Sequence, residues 1–265
     1  MNMGMAPFQI NEVEIMVFGL ALLRVASFFM TWPVFSQFTI PPHIKVLFAV
    51  SVTFCIFHTI PRTGLQGQTY DTGLMWLAMK ETLLGLILGF VSRLLFYSVE
   101  VGGHLISVSM GLASATVFSP ASGQSTPVLE KFYVVLLTLL FLGLNAHHTF
   151  LSAMVESFTI IPISPSGIDL ALFGSGKGGG EMIQAVTISG LKMAAPIMVV
   201  IFFLNVAMGI IGRAVPQINV LVTSLPVNIM AGLMVMVVTL PALLVILDRD
   251  MVSYTDLLFR LMRSL

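Results

Sequence analysis

The sequence predicts an all-α integral protein of a membrane complex, built from bent helical hairpins, and three observations carry that prediction. Hydrophobic residues make up 57% of the 265 and charged residues only 9%, far below the roughly 25% of a soluble domain. The apolar runs, such as LLTLLFLGL and LMVMVVTLPALLVIL, continue without the apolar/polar alternation that strands of an outer-membrane barrel need. Separators rich in Pro, Gly and Ser cut these runs at helix-length intervals. The 12 Lys+Arg balance the 12 Asp+Glu and form no basic cluster, which excludes a nucleic-acid surface, and the hydrophobicity excludes a disordered chain. The single cysteine, Cys55, sits in VLFAVSVTFCIF and reads as a small packed side chain.

Taken in order, the first helix is expected over 13–38. Glu12 and Glu14 precede its apolar run, and no basic segment of the signal-peptide kind stands before it, so the run is expected to stay in the mature protein. The bend at Pro41 and Pro42 introduces a short helix over 43–60, and the turn-rich 61–73 separates it from a helix over 74–98. A weaker Gly/Ser-rich stretch at 101–118 leads into SPASGQSTP, and 128–153 follows as an apolar helix. After the long separator from Pro162 to Gly180 come helices over 184–214, interrupted by Pro196 and Gly209, and over 220–247. A short polar segment, 248–265, ends the chain. Orientation stays open, because the loops after 60, 118 and 153 hold one cation each, at Arg62, Lys131 and Lys177.

Charges within apolar runs are informative because hydrocarbon does not solvate them. Arg24, Lys80, Glu81, Arg93, Glu100, Lys192 and Arg213 are of this kind. They either snorkel or pair structurally, or they line a polar passage or a subunit seam. Arg93 and Glu100 stand about two helical turns apart, too far for an adjacent-turn pair. Gly85 and Gly89, followed by Gly102, Gly103, Ser107, Ser109 and Gly111, form small faces suited to close helix packing.

Catalytic chemistry finds no support. None of the five histidines, including the adjacent His147 and His148, stands in an HExxH arrangement. GSGKGGG lacks the order of a phosphate-binding loop, since Lys177 is followed by Gly178, and no GxSxG elbow occurs. No enzyme activity, metal or cofactor is expected. A solute transporter with broken helices and intramembrane charges, or a membrane scaffold without transport, stays open on these residues.

Four strings carry a resemblance across nearly the whole chain and in order: LLRVASFFMTWPVFSQFTIPPHIKVLFAV, VEVGGHLISVSMGLASATVFSPASGQSTPVLEKF, LFLGLNAHHTFLSAMVESFTIIPIS and GLKMAAPIMVVIFFLNVAMGIIGRAVPQINVLVTSLPVNIMAGL. Together they resemble the FliR family of flagellar type III export-gate subunits, and RAVPQINV followed by LPVNIMAGL is the most specific part. The resemblance implies one export-gate domain over 1–265, related to a FliP-like plus FliQ-like fusion. It implies a place in the bacterial inner membrane, in the flagellar basal body. The implied partners are FliP, FliQ and FlhB, with FlhA in the wider apparatus, membrane lipid around the complex, and unfolded flagellar proteins as cargo.

The same resemblance assigns residues. Stretch 110–127 matches the family's loop toward the central passage, so Met110, Val117 and Phe118 are expected at its closed plug or constriction. Arg213, Pro216, Gln217 and Asn219 are expected to shape a bent junction against neighbouring subunits, and Arg24, Glu81 and Lys192 to make buried polar contacts between subunits. Two departures weaken this transfer. Ser119 stands before Pro120 where related sequences often carry an acid, and Ala146 stands before the paired histidines where they commonly have Gly.

Overall fold

The computed structural model describes residues 12–33, 40–61, 73–112, 128–164, 177–217 and 219–264. Its elements are α1 (Glu12–Thr31), α2 (Pro42–Ile56) with a 3-10 turn at Phe57–Thr59, α3 (Gly73–Ser109), α4 (Val128–Gly143), α5 (Ala146–Ile160), α6 (Lys177–Ala214) and α7 (Val220–Ser264). Among the described residues, five helices are long and apolar enough to cross a membrane, and α4 with α5 supplies a sixth crossing if the pair forms one broken span. The all-α, multi-span class is therefore the observed one, and the chain is an integral membrane protein.

The chain divides into two compact units, one of Met1–Arg93, His148–Ser175 and Thr255–Leu265, the other of Leu94–His147 and Gly176–Tyr254. In the first, α1 buries Val17, Leu20, Ala21, Val25, Phe28 and Phe29 along one stripe. Its aromatic end is knitted by Phe28 stacked on Trp32 at 5.7 Å and by Phe29 edge-on to Phe48 of α2 at 5.0 Å. Pro42 starts α2 at the position where a missing N–H costs nothing. Gly85 and Gly89 of α3 lie on α1: a Cβ at Gly85 would overlap Ser27 Oγ and the Arg24 carbonyl, and one at Gly89 would overlap Thr31 Oγ1. These small residues let two backbones touch, which replaces the hydrophobic drive absent in lipid.

In the second unit the same device recurs. Gly102 of α3 meets Gly190 of α6, a Cβ on the former lying 3.1 Å from the latter's carbonyl oxygen, and a Cβ on Gly103 would sit 2.8 Å from Glu130 Cα of α4. Phe96 packs edge-on to Phe141 of α4 at 5.7 Å. Two buried hydroxyls bond within their own helices, Ser98 donating to the Leu95 carbonyl at 2.6 Å and Thr138 to that of Val134 at 2.8 Å.

Several sequence expectations change in detail. The helix expected to end at 98 runs on to Ser109, through Gly102 and Gly103, because those glycines are contact points and not breaks. The helix expected over 128–153 instead breaks at Leu144 and Asn145, where Asn145 takes a φ of 55°, a left-handed conformation that Asn tolerates. Helix α6 is continuous past Pro196 and Gly209. Segment 248–265 continues α7 as far as Ser264 and buries Met251, Tyr254, Leu258, Leu261 and Met262.

Candidate functional site

The densest polar construction among the described residues lies in the first unit. Arg24, fully buried on α1, has all three side-chain nitrogens engaged: its Nε donates to Glu81 Oε2 of α3 at 2.5 Å, Nη1 to the Ser157 carbonyl at 3.0 Å and to Ser157 Oγ at 3.2 Å, and Nη2 to the Ile161 carbonyl at 2.9 Å. The guanidinium carbon stands 4.3 Å from the centre of the Phe158 ring. Lys80, next to Glu81, donates from Nζ to the Ser164 carbonyl at 2.9 Å. Arg24 thus holds the carbonyl-rich end of α5, where the helix dipole favours positive charge, and Lys80 holds the segment just beyond it.

This arrangement ties three helices with one guanidinium, whose planar fork suits several carbonyls at once. Arg24 and Glu81 find each other inside one chain, a structural pairing that the sequence leaves open beside contacts between subunits. Lys192 is exposed on α6.

Met110 closes α3 in the second unit. It is fully buried, and its side chain lies over Gly232 of α7, where an added Cβ would come 2.6 Å from Met110 Cε. Gly111 follows with a φ of 79°, a conformation that suits glycine, and its backbone faces Leu225 of α7. Val117 and Phe118 lie outside the described residues. The structure therefore places only the root of the expected plug stretch, and places it against α7.

The junction between α6 and α7 keeps Arg213, Pro216, Gln217 and Asn219 exposed. Asn219 caps α7, its Oδ1 accepting the Val222 N–H at 3.4 Å. Gly212 beside the junction faces Val220. Deeper in the same hairpin, Asn228 Nδ2 donates to Asn205 Oδ1 at 2.9 Å. Sequence reasoning missed this amide clasp, although each Asn is a lone amide in an apolar run, which is a readable signal. His104 Nδ1 and Glu130 Oε2 stand 3.7 Å apart at the α3–α4 contact. Among the described residues no group of three or more His, Cys, Asp or Glu converges on a metal position.

The remaining construction is an uncovered surface. On α6, Ile183, Val199, Phe202, Phe203 and Ile210 are exposed, and on α7 Val222, Met230, Met234, Val237, Val238 and Val252. Only 17% of the most apolar part of α6 and 11% of that of α7 is buried within the chain, against 61% for α3. The hairpin is built to be covered from outside.

A family model described as bacterial export proteins, family 1, matches residues 15–253. The chain is 31% identical over 220 residues to the flagellar biosynthetic protein FliR of Escherichia coli (strain K12), covering 83% of this chain and 82% of that one. It is 30% identical over 241 residues to the protein of the same name from Bacillus subtilis (strain 168), covering 90% and 91%, and 27% identical over 231 residues to that of Aquifex aeolicus (strain VF5), covering 87% and 88%. With the match running through the Arg24 clamp, the glycine crossings and the α6–α7 hairpin, the chain belongs to the FliR family of bacterial export proteins.

Proposed function

We propose that the chain is a subunit of the flagellar type III export gate in the bacterial inner membrane, helping to form and close the passage for unfolded flagellar proteins. The observation that carries this reading is the length of the uncovered apolar surface. Exposed apolar residues on α6 extend from Ile183 to Ile211, and on α7 from Val222 to Val252. At about 1.5 Å per residue these stripes are roughly 42 Å and roughly 45 Å along the helix. A hydrocarbon core of about 30 Å covers only about 39 Å of a helix even when it is tilted by about 40°. The hydrocarbon alone leaves the ends of each stripe in the polar headgroup layer, where neighbouring protein is the fitting cover.

In this reading the neighbours are FliP and FliQ, with FlhB at the gate and FlhA in the wider export apparatus. The α6–α7 hairpin, two long helices joined by the short stretch from Val215 to Asn219, supports the FliQ-like half of a fusion. Met110 and the residues that follow it act as a closure and not as catalytic groups. Apolar side chains resist water and ions at a narrow point, and a loop can withdraw when a polypeptide enters.

Purification of the tagged chain from membranes tests this, with identification of the proteins that remain bound. A stable assembly with FliP and FliQ, together with loss of flagellar export on deletion, is the expected result. Substrate-dependent flux through the chain reconstituted alone would favour a solute transporter instead. An assembly that persists with unchanged leakage and export after replacement of Met110 would favour a scaffold.

A further inference from the structure

Helix α5 differs from the other helices in what it shows to its surroundings. Its exposed residues are His148, Thr149, Ser152, Glu156 and Thr159, all of them polar. Among the described residues, none of the large apolar side chains on the surface belongs to α5, whereas α4 exposes Phe132, Val135, Leu139 and Leu142. His148, Ser152, Glu156 and Thr159 recur every three or four residues and so form one stripe along the helix. The opposite face, with Phe150, Met154, Ser157 and Phe158, is buried, and the Arg24 guanidinium fixes it by donating to the Ser157 carbonyl at 3.0 Å. Contacts inside the first unit therefore turn the polar stripe outward. Beside it, Val52, Ile56 and Thr59 of α2 complete an open groove of about 450 Å³ that His148, Ser152 and Glu156 also line.

Hydrocarbon does not suit this face. A hydroxyl is tolerated in lipid when it bonds back to its own helix, as Thr159 Oγ1 does by donating to the Glu156 carbonyl at 2.7 Å. The Glu156 carboxylate has no such recourse, because it only accepts and the N–H groups of a helix interior are already used. Its stem is also shorter than those with which Lys and Arg snorkel. Length points the same way, since the 15 residues of α5 span roughly 22 Å against a hydrocarbon core of about 30 Å.

We infer that the outer face of α5, with the α2 groove beside it, lies in water, so that α4 and α5 do not form one lipid-embedded crossing. The geometry of α5 carries this independently of the export-gate reading. A surface of this kind fits a hydrated, polar neighbour and not an acyl chain or an apolar helix.

The test measures access of water to single thiols in the full chain, in membranes and with its neighbours present. Cys55 is exposed and is first replaced, as Cys55→Ala. A thiol reacts with N-ethylmaleimide as the thiolate, a form that water supports and hydrocarbon suppresses. Ser152→Cys and Thr159→Cys should react at least about a hundredfold faster than Val238→Cys on α7, whose cover is apolar whether it is lipid or protein. Rates at both α5 positions as slow as that of Val238→Cys overturn the inference. Glu156→Leu gives a second reading that needs no cysteine: the yield of membrane-inserted chain should stay within about twofold, since no charge leaves hydrocarbon. A several-fold gain in inserted chain overturns the inference as well.

Discussion

Arg24 on α1 and Glu81 on α3 form an ion pair, Nε to Oε2 at 2.5 Å, with both side chains wholly excluded from solvent. The two residues stand 57 positions apart, and the same guanidinium reaches the end of α5. Removing one partner leaves an uncompensated buried charge. Arg24→Ala and Glu81→Gln are each expected to destabilise the chain by about 3–5 kcal/mol, and the apolar pair Arg24→Met with Glu81→Leu by much less. Arg24→Lys should not rescue, since one ammonium cannot span Glu81, Ser157 and Ile161. Denaturation of the purified variants in detergent measures all four.

The glycine crossing in the second unit gives a sharper steric expectation. Gly190→Val places its Cβ 2.8 Å from the Ser98 carbonyl oxygen, a backbone atom that cannot swing away, whereas a methyl group at Gly209 would meet nothing within 4 Å. Gly190→Val should lose most of the folded, protease-resistant chain, and Gly209→Ala should keep it, with up to about 1 kcal/mol gained from helix propensity. Limited proteolysis of membranes containing each variant distinguishes them.

Asn219 supplies a smaller effect at the α6–α7 junction. Loss of its side-chain acceptor for the Val222 N–H in Asn219→Ala should cost about 0.5–2 kcal/mol, and Asn219→Asp should restore most of it. The unfolding midpoint of the three proteins is the readout.

Met110 tests the closure. A side chain larger than hydrogen at position 232 occupies the space of the Met110 thioether, whose flexible end can move out. Gly232→Val is therefore expected to leave assembly intact and to raise ion leakage through the assembled complex, measured as conductance in planar bilayers.

How far the sequence leads is clear from particular residues. The helix windows follow from apolar run length, and Arg24 and Glu81 stand out as charges in apolar runs, because hydrocarbon penalises them wherever they end up. Their pairing is invisible, since nothing local links positions so far apart. Gly102 and Gly103 look like a break and act as a crossing point, because a glycine signals close backbone approach and chain reversal alike. Asn145 marks a break inside an otherwise helix-length apolar window, since a window average does not register a left-handed backbone. In the last segment, Met251, Tyr254, Leu258 and Leu261 carry a helical three-to-four spacing that its polar composition masks. Val117 and Phe118 rest on resemblance alone.

The central claim is that protein, more than lipid, covers the α6–α7 hairpin, and a single substitution separates the two covers. Val238 is 78% exposed on α7. Lipid tails accept a larger apolar side chain there, whereas a packed helix interface rejects it at a cost of about 1–3 kcal/mol. In Val238→Trp, membrane insertion and folding of the chain should be unchanged while recovery of the complex with FliP and FliQ falls about tenfold or more. Full recovery of that complex, with the larger side chain in place, would contradict the account.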